Sequence, residues 1–404
     1  MTLHEQTGPP APNGPPLRIF VVHGSPYLTD HFFHGDGLVA WGFIAELARR
    51  GHVIHVLTER ANLLAGPPPN VTIVEYPWAE PNDLFHYAAY MWKARRYYRR
   101  LAAGAGVDVV HQMNPVVRGL SLALLGTPSP VVLGTYVGDW HQSMAPPGFR
   151  RRNAVQRALT LLRAVIDGLQ QHAAAAVVLA TPHALVRVPF KRDTRSRIRY
   201  LHHGVDLELF NPEAMPGDPG VRPQSVLYVG GLDVRKGVMT LVEAFARVVA
   251  DLPQARLVLV GDGDWEDAMK RRVAELGVAD RTEFAGRCDR RAVAGWMRAC
   301  TLLCAPAFGE PYGQNVVEAM ASGRPVVLTT EGGHPHLADG NGSLSFRPGD
   351  VEELAAALRT ILASSELAER MGRANRATAE RRHSWPRVTD ELERIYRDAI
   401  RSQR

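Results

Sequence analysis

Two carboxylates, Glu310 and Glu318, stand eight positions apart in the run Pro306-Ala307-Phe308-Gly309-Glu310-Pro311-Tyr312-Gly313-Gln314-Asn315-Val316-Val317-Glu318. An apolar stretch of strand length ends near Ala305, a glycine-bearing loop presents Glu310, and helical patterning begins at Gly313–Asn315. A helix starting there turns free backbone N–H groups and its positive dipole end toward the strand ends, an arrangement that suits a diphosphate. Each carboxylate can accept hydrogen bonds from vicinal hydroxyls, one set on a hexose and one on a ribose. Alone, the two acids read equally well as a turn residue and an exposed helix residue.

A second segment shifts that balance. Gly230-Gly231-Leu232-Asp233-Val234-Arg235-Lys236-Gly237 joins a strand to a helix and carries two adjacent cations. Arg235 and Lys236 can balance a diphosphate and stabilise its charge as it leaves; the plainer reading is two solvated loop charges. No Asp-x-Asp pair stands in a loop, and His111, His202 and His334 have no metal-ligand spacing and read as structural or solvent-facing. No metal and no cofactor are therefore expected, with cations and helix dipoles in place of a divalent ion. Cys288, Cys300 and Cys304 lack a CxxC spacing and read as buried, inert thiols in a reducing cytoplasm.

The elements that must hold these loops alternate between strand-length and helix-length patterns, which predicts doubly wound α/β units with parallel sheets. Strands are expected at Arg18–Val22, His52–Leu57, Val71–Glu75, Val107–His111, Val131–Thr135, Ala175–Leu179 and Ile198–Leu201. A loop containing Gly35 and Gly37 follows the first, and helices are expected at Asp83–Ala103 and Asn153–His172. Prolines and glycines crowd the segment from Pro212 to Pro223, as in a linker. The architecture then restarts with strand Ser225–Val229, helix Val238–Leu252 and strand Arg256–Val260. Further strands follow at Thr282–Ala285, Leu302–Ala305 and Pro325–Thr329, and helices at Asp264–Gly277, Asp289–Ala299 and Gln314–Ala321. From Asp350 onward the pattern gives three helices. The division is a flexible tail at 1–16, an N-terminal domain at 17–206, a linker at 207–224, a C-terminal domain at 225–384 and a terminal helix at 385–404. Two such sheets face one another across a cleft at the carboxyl ends of their strands.

At 404 residues the chain suits two domains. Residues 1–16 hold five prolines and no apolar run, which argues against a signal peptide, and no apolar stretch approaches the roughly 20 residues a membrane span requires. The net charge of +6 divides unevenly: residues 1–200 hold 21 Lys and Arg against 12 Asp and Glu. Clusters at Arg95, Arg96, Arg99 and Arg100, at Arg150–Arg152, and at Lys191, Arg192, Arg195, Arg197 and Arg199 suit anionic lipid or an anionic acceptor; the plainer reading is solvated helix faces. Peripheral membrane contact through the basic N-terminal domain is one expectation; a nucleic-acid partner is not.

Glu310–Glu318 with Ala319-Met320-Ala321, Gly323 and Pro325-Val326-Val327 closely resembles the E-x7-E region of the retaining glycosyltransferases of family 4, and the resemblance covers nearly the whole chain. Arg49-Arg50-Gly51-His52-Val53 resembles the family's first helix-to-strand turn. His203-Gly204-Val205-Asp206 with Phe210 and Pro212 resembles its linker entrance, and Lys236-Gly237, Gly261-Asp262-Gly263 and Ser384-Trp385 are similar again. The resemblance implies the GT-B fold and a metal-independent, hexosyltransferase-type enzyme. It would move a sugar from a nucleotide-sugar, UDP-sugar before GDP-sugar, to a small-molecule, lipid or saccharide acceptor.

By the same resemblance, Glu310 contacts the transferred sugar and Glu318 the ribose. Lys236 and the amides of Gly313, Gln314 and Asn315 hold the diphosphate, beside Gly230, Gly231 and Tyr312. The base lies near Arg287, and the Gly35/Gly37 loop closes over the donor phosphates. The chain departs from the pattern at Gly231, where the family carries a phosphate-binding Arg for which Arg235 would compensate. It departs also at His203 in place of Asn, at His336 in place of Glu, and at Val137 in place of a His, with His141 as substitute on the acceptor side. Other classes remain open: a nucleotide-sugar epimerase, which needs no acceptor, or a non-catalytic sugar- or lipid-binding protein. An oxidoreductase is disfavoured because no strand leads into G-x-G-x-x-G.

Overall fold

A computed structural model describes residues 14–23, 27–31, 35–76, 84–113, 120–124, 126–138, 154–189 and 191–403. The first half comprises β1 (Arg18–His23), β2 (Leu28–Thr29), α1 (Gly35–Arg49), β3 (Val53–Thr58), β4 (Ala61–Asn62), β5 (Val71–Glu75), α2 (Leu84–Ala103), β6 (Val109–Met113), α3 (Leu120–Ala123), β7 (Val131–Tyr136), α4 (Ala154–Ala173), β8 (Ala176–Leu179), α5 (Lys191–Thr194) and β9 (Ile198–Tyr200). Seven of these strands form a parallel sheet in the order β5-β3-β1-β6-β7-β8-β9. The strands read as continuous apolar runs because helices cover both faces; all six residues of β7 are buried.

The second half repeats the plan with β10 (Arg222–Val229), α6 (Val238–Asp251), β11 (Arg256–Val260), α7 (Glu266–Glu275), β12 (Thr282–Gly286), α8 (Arg290–Ala299), β13 (Cys300–Ala305), α9 (Gln314–Ala321), β14 (Val326–Thr329), β15 (Ser343–Phe346), α10 (Val351–Leu362), α11 (Ser365–His383) and α12 (Trp385–Gln403). Its parallel sheet has the order β12-β11-β10-β13-β14-β15. In both sheets the strand order reverses beside the first strand, which opens a crevice at the carboxyl ends there.

The structure corrects the sequence reading at several points. Gly35 and Gly37 stand in the first turn of α1 rather than in a loop. β10 starts at Arg222, which pairs with Cys300, so the last three residues of the segment read as linker belong to the sheet. β15 was not foreseen, because Ser-Leu-Ser-Phe is too short and polar to signal a strand and gains its place by pairing with β14. Of the segment read as a tail, residues 1–13 lie outside the described residues, while Pro15 accepts a hydrogen bond from Arg397 through its carbonyl (3.0 Å).

Helix α12 crosses back and packs on α1, β6 and β7 of the first domain. Arg50, fully buried, donates to Glu46 (3.0 Å), Asp390 (2.6 Å) and Glu393 (3.1 Å) and to the carbonyl of Pro386 (2.7 Å). His52 accepts the Leu17 N–H at Nδ1, so its Nε2–H donates to Glu393 (3.1 Å). Trp385 lies against both Gly42 of α1 and Gly204; a Cβ would approach its ring to 2.0 Å at the first and 2.3 Å at the second. Both positions are glycine because the indole fills the space.

Candidate active site

At the end of β10 the chain makes a 3-10 turn over Val234–Lys236, capped by Asp233, whose carboxylate accepts the Arg235 N–H (2.8 Å). Gly237 closes the turn at φ 67°, and a Cβ there would stand 2.0 Å from the Pro306 carbonyl. Only glycine lets this turn lie against the loop that follows β13. The Phe308 N–H donates to the Arg235 carbonyl (2.8 Å), which fastens the two loops. From the far side Gly332 and Gly333 press on the same loop: the Gly333 N–H donates to the Glu310 carbonyl (2.7 Å), and a Cβ on Gly332 would approach that oxygen to 2.5 Å. The result brings Lys236 Nζ to 2.7 Å from a Glu310 carboxylate oxygen.

Gly313, at φ 104°, caps α9. The Val316 and Val317 N–H groups turn back to the Gly313 carbonyl, so the amides of Gln314 and Asn315 precede the intrahelical ladder. The Asn315 side chain donates to the Val229 carbonyl (2.8 Å), tying α9 to β10, and Gln314 donates to the Gly204 carbonyl (3.0 Å), tying it to the interdomain segment. Glu318 stands one turn further on. Burial pushes its carboxyl up to about 7, an effect opposed by Arg290 and reinforced by Asp206.

Glu310, Lys236, Asn315, Glu318, Gly313 and Gln314 line one cavity of about 410 Å³ between the domains. Gly230, Gly231 and Arg287 line it from the second domain and Gly35 from the first. Arg287 is held by two hydrogen bonds to Asp262 (3.0 and 3.1 Å).

Other expected residues stand elsewhere. Arg235 forms an exposed ion pair with Asp233 (3.6 Å) and is not among the residues lining the cavity. Gly37 is buried within α1. Tyr312 is buried: its hydroxyl accepts the His203 N–H (2.8 Å), and its ring lies 4.1 Å from the His203 ring. It pins the second domain to the interdomain segment. His141 lies outside the described residues. His111 and His334 are buried, and burial lowers both to about 4. Cys300 and Cys304 are buried and Cys288 half-buried, and burial raises all three thiols, as inert thiols require.

Arg290 escaped the sequence reading. It opens α8 directly after the capping Asp289, one of many basic residues in such a place, and only the fold turns it into the cavity. Its guanidinium lies 3.7 Å from Glu318 and 5.4 Å over the Phe210 ring, and its buried Nε has no protein partner among the described residues. Arg290 lines the cavity with Lys236 and Arg287, where Arg235 does not.

Two Rossmann-like domains closing on a cleft with these groups define the GT-B class of protein. Residues 35–209 match the family described as Glycosyltransferase Family 4, and residues 218–378 match Glycosyl transferases group 1. The chain belongs to the family 4 glycosyltransferases. It is 28% identical to the phosphatidyl-myo-inositol mannosyltransferase of Mycobacterium tuberculosis over 87% of this chain and 90% of that protein. It is 30% identical to a glycogen synthase of the same organism over 46% of this chain and 45% of the relative. To the D-inositol 3-phosphate glycosyltransferase of Mycobacterium marinum it is 33% identical, over 53% of this chain and 47% of the relative. The chain thus spans about half the length of the first curated relatives it matches. Among solved structures, sucrose-phosphate synthase from Thermosynechococcus elongatus superposes with a TM-score of 0.73 at 21% identity, over 95% of this chain and all of the other. The HepE protein of Anabaena in complex with UDP and glucose gives 0.68 at 18%, over 93% and 98%. These structures share the fold.

Proposed function

We propose that this protein is a retaining glycosyltransferase that moves a hexose from a nucleotide-sugar, a UDP-sugar in the first instance, to an acceptor hydroxyl without a metal ion. The observation that carries this reading is the convergence of Lys236, Arg290, the start of α9 and two carboxylates on one cavity. Lys236 and the Gln314 and Asn315 amides would hold the diphosphate. Glu310 would accept hydroxyls of the transferred sugar, and Glu318 those of the ribose. An acceptor hydroxyl, bound mainly by the first domain, attacks the anomeric carbon on the face from which the nucleoside diphosphate departs. The new C–O bond forms as the bond to the phosphate oxygen breaks, and the departing phosphate accepts the hydroxyl proton. The transition state resembles an oxocarbenium ion beside a leaving anion, so catalysis comes from placement and from stabilising that charge.

Two of the three relatives named above carry phosphatidyl-myo-inositol or D-inositol 3-phosphate in their names. Acceptors with a polyol headgroup are therefore the first to try. The test is a thermal-shift screen against UDP- and GDP-sugars with chelator present, since a ligand that binds only the folded state raises its midpoint. The reading expects at least one nucleotide-sugar to stabilise the protein, and Lys236→Ala to remove the shift. Nucleoside diphosphate release on adding acceptor, with an unchanged anomeric configuration in the product, completes the assignment. A screen in which no nucleotide-sugar binds would end it. Donor consumption without an acceptor would mark an epimerase instead.

A further inference from the structure

Among its described side chains, which run from Leu161 onward, helix α4 is inside out. Asp167, Gly168, Gln170 and Gln171 face the protein. Gln170 accepts from the backbone N–H (3.2 Å) and hydroxyl (3.0 Å) of Ser121, and Gln171 donates to the Arg187 carbonyl (2.8 Å). The opposite side carries Leu161, Leu162, Val165 and Leu169, which are 69%, 56%, 41% and 50% exposed. Their spacing makes one stripe along the helix. A surface helix ordinarily buries its apolar stripe and solvates its polar one. Here the polar side is turned inward and bonded to Ser121 and to the Arg187 carbonyl, so the leucine side is shaped for an environment other than water.

Its surroundings select that environment. The crossovers that follow β5, β6, β7 and β8 all run the same way across the sheet, which places α2, α3, α4 and α5 on one face, in contact in that order. Helix α2 buries Tyr90, Ala94 and Tyr98 and turns Trp92, Arg96, Arg99 and Arg100 outward, with the Arg96 guanidinium 5.2 Å over the Trp92 ring. It contains five basic residues and no acid. On the other flank α5 exposes Lys191 and Arg192. An apolar stripe between two cationic flanks, with a tryptophan at its margin, has the composition of a helix lying in a membrane interface. A second copy of the chain would set these cations against their own kind. None of the described helices is long and apolar enough to cross a membrane, so the contact is with the bilayer surface.

We propose that this face of the N-terminal domain docks on an anionic lipid bilayer. The stripe from Leu161 to Leu169 enters the boundary between headgroups and acyl chains, and the arginines of α2 with Lys191 and Arg192 contact lipid phosphates. The surface lies on the domain assigned to the acceptor under the proposed function, but its test needs neither donor nor acceptor, so the two readings fail separately.

The experiment is flotation of the full chain with vesicles of phosphatidylcholine alone or mixed with phosphatidylglycerol. The chain is expected to float with the mixed vesicles. Arg96→Ala/Arg99→Ala/Arg100→Ala should lower the partition coefficient by about 100-fold, and Leu162→Glu/Leu169→Glu should abolish flotation. Because these side chains are exposed, the thermal midpoint of each variant should match wild type, which separates lost docking from lost folding. Absence of flotation with phosphatidylglycerol, or equal flotation of the leucine variant, overturns the proposal. So does a wild-type dimer in sedimentation that fails to float and that the leucine variant splits, since the stripe is then a self-association surface.

Discussion

Lys236 Nζ lies 2.7 Å from Glu310 Oε2, across 74 positions of sequence. Neither side chain is deeply buried, at 26% and 16% exposure, so each can exchange its partner for a ligand group at little cost in stability. Lys236→Ala should lower kcat/KM by about 100-fold or more, the scale seen when a group that stabilises developing charge is removed, while the thermal midpoint changes little. Glu310→Ala should lower turnover comparably. Nucleoside diphosphate release is the measurement, and wild-type rates in both variants would remove the pair from the chemistry.

Glu318 carries a pH signature. Its folded carboxyl is raised to about 7, above the unfolded value near 4.5, so the folded state holds the extra proton between those values. Stability from this group therefore falls as pH rises through that window. Because the side chain lines an open cavity, the effect should be about 1 kcal/mol. Glu318→Gln should flatten the decline in thermal midpoint from about pH 5 to pH 7 and match or exceed wild type at pH 8, yet bind nucleotide-sugar more weakly. A wild-type profile in the variant would refute the assignment.

Gly231 and Arg290 should trade places. Among the described residues a Cβ on Gly231 meets nothing nearer than 3.6 Å, so a side chain can start there without a backbone clash. Arg290→Ala should weaken donor binding by about tenfold, the loss of one charge-assisted contact, and Gly231→Arg in the same chain should restore much of it. Titration of the two variants with a nucleotide-sugar decides this; no recovery in the double variant would mean that the cations serve different groups.

Tyr312→Phe tests whether that residue serves to hold the interdomain segment. The change strands the His203 N–H, which donates to the hydroxyl at 2.8 Å, and should cost about 1–3 kcal/mol. Donor affinity should remain at wild-type level. A selective loss of affinity with unchanged midpoint would return Tyr312 to the ligand site.

Arg50 meets three carboxylates with no exposed surface of its own. Arg50→Met should destabilise by about 3–5 kcal/mol, because it leaves Glu393 charged and buried without its main partner. Hydrogen exchange should show α12 losing protection before the second-domain sheet. Equal protection in both would show that the apolar contacts of α12 suffice to hold it.

Much of the fold was legible because strong local signals coincide with the elements. Strand β5 and helix α9 fall at the expected residues, since each is bounded by turn residues and has one clear period. Boundaries moved where pairing extends a strand past its apolar core, as at Arg222. The cavity gathers Glu310, Glu318 and Lys236, which share a loop-to-helix context visible in sequence. It excludes Arg235, because a capped 3-10 turn sends neighbouring side chains in different directions. Arg290 was unreadable since its neighbours in sequence resemble any helix start.

The order of apolar and polar residues, with the glycines that permit sharp turns, determined that this chain forms parallel-sheet units whose loops gather at strand ends. Those are properties of a few consecutive residues. Which cation meets which carboxylate, where α12 lands and which side of α4 turns outward depended on strand order and crossover direction. A helix pattern gives two faces and no orientation, so only packing against α3 and the neighbouring elements decided that the glutamines of α4 point in and its leucines point out.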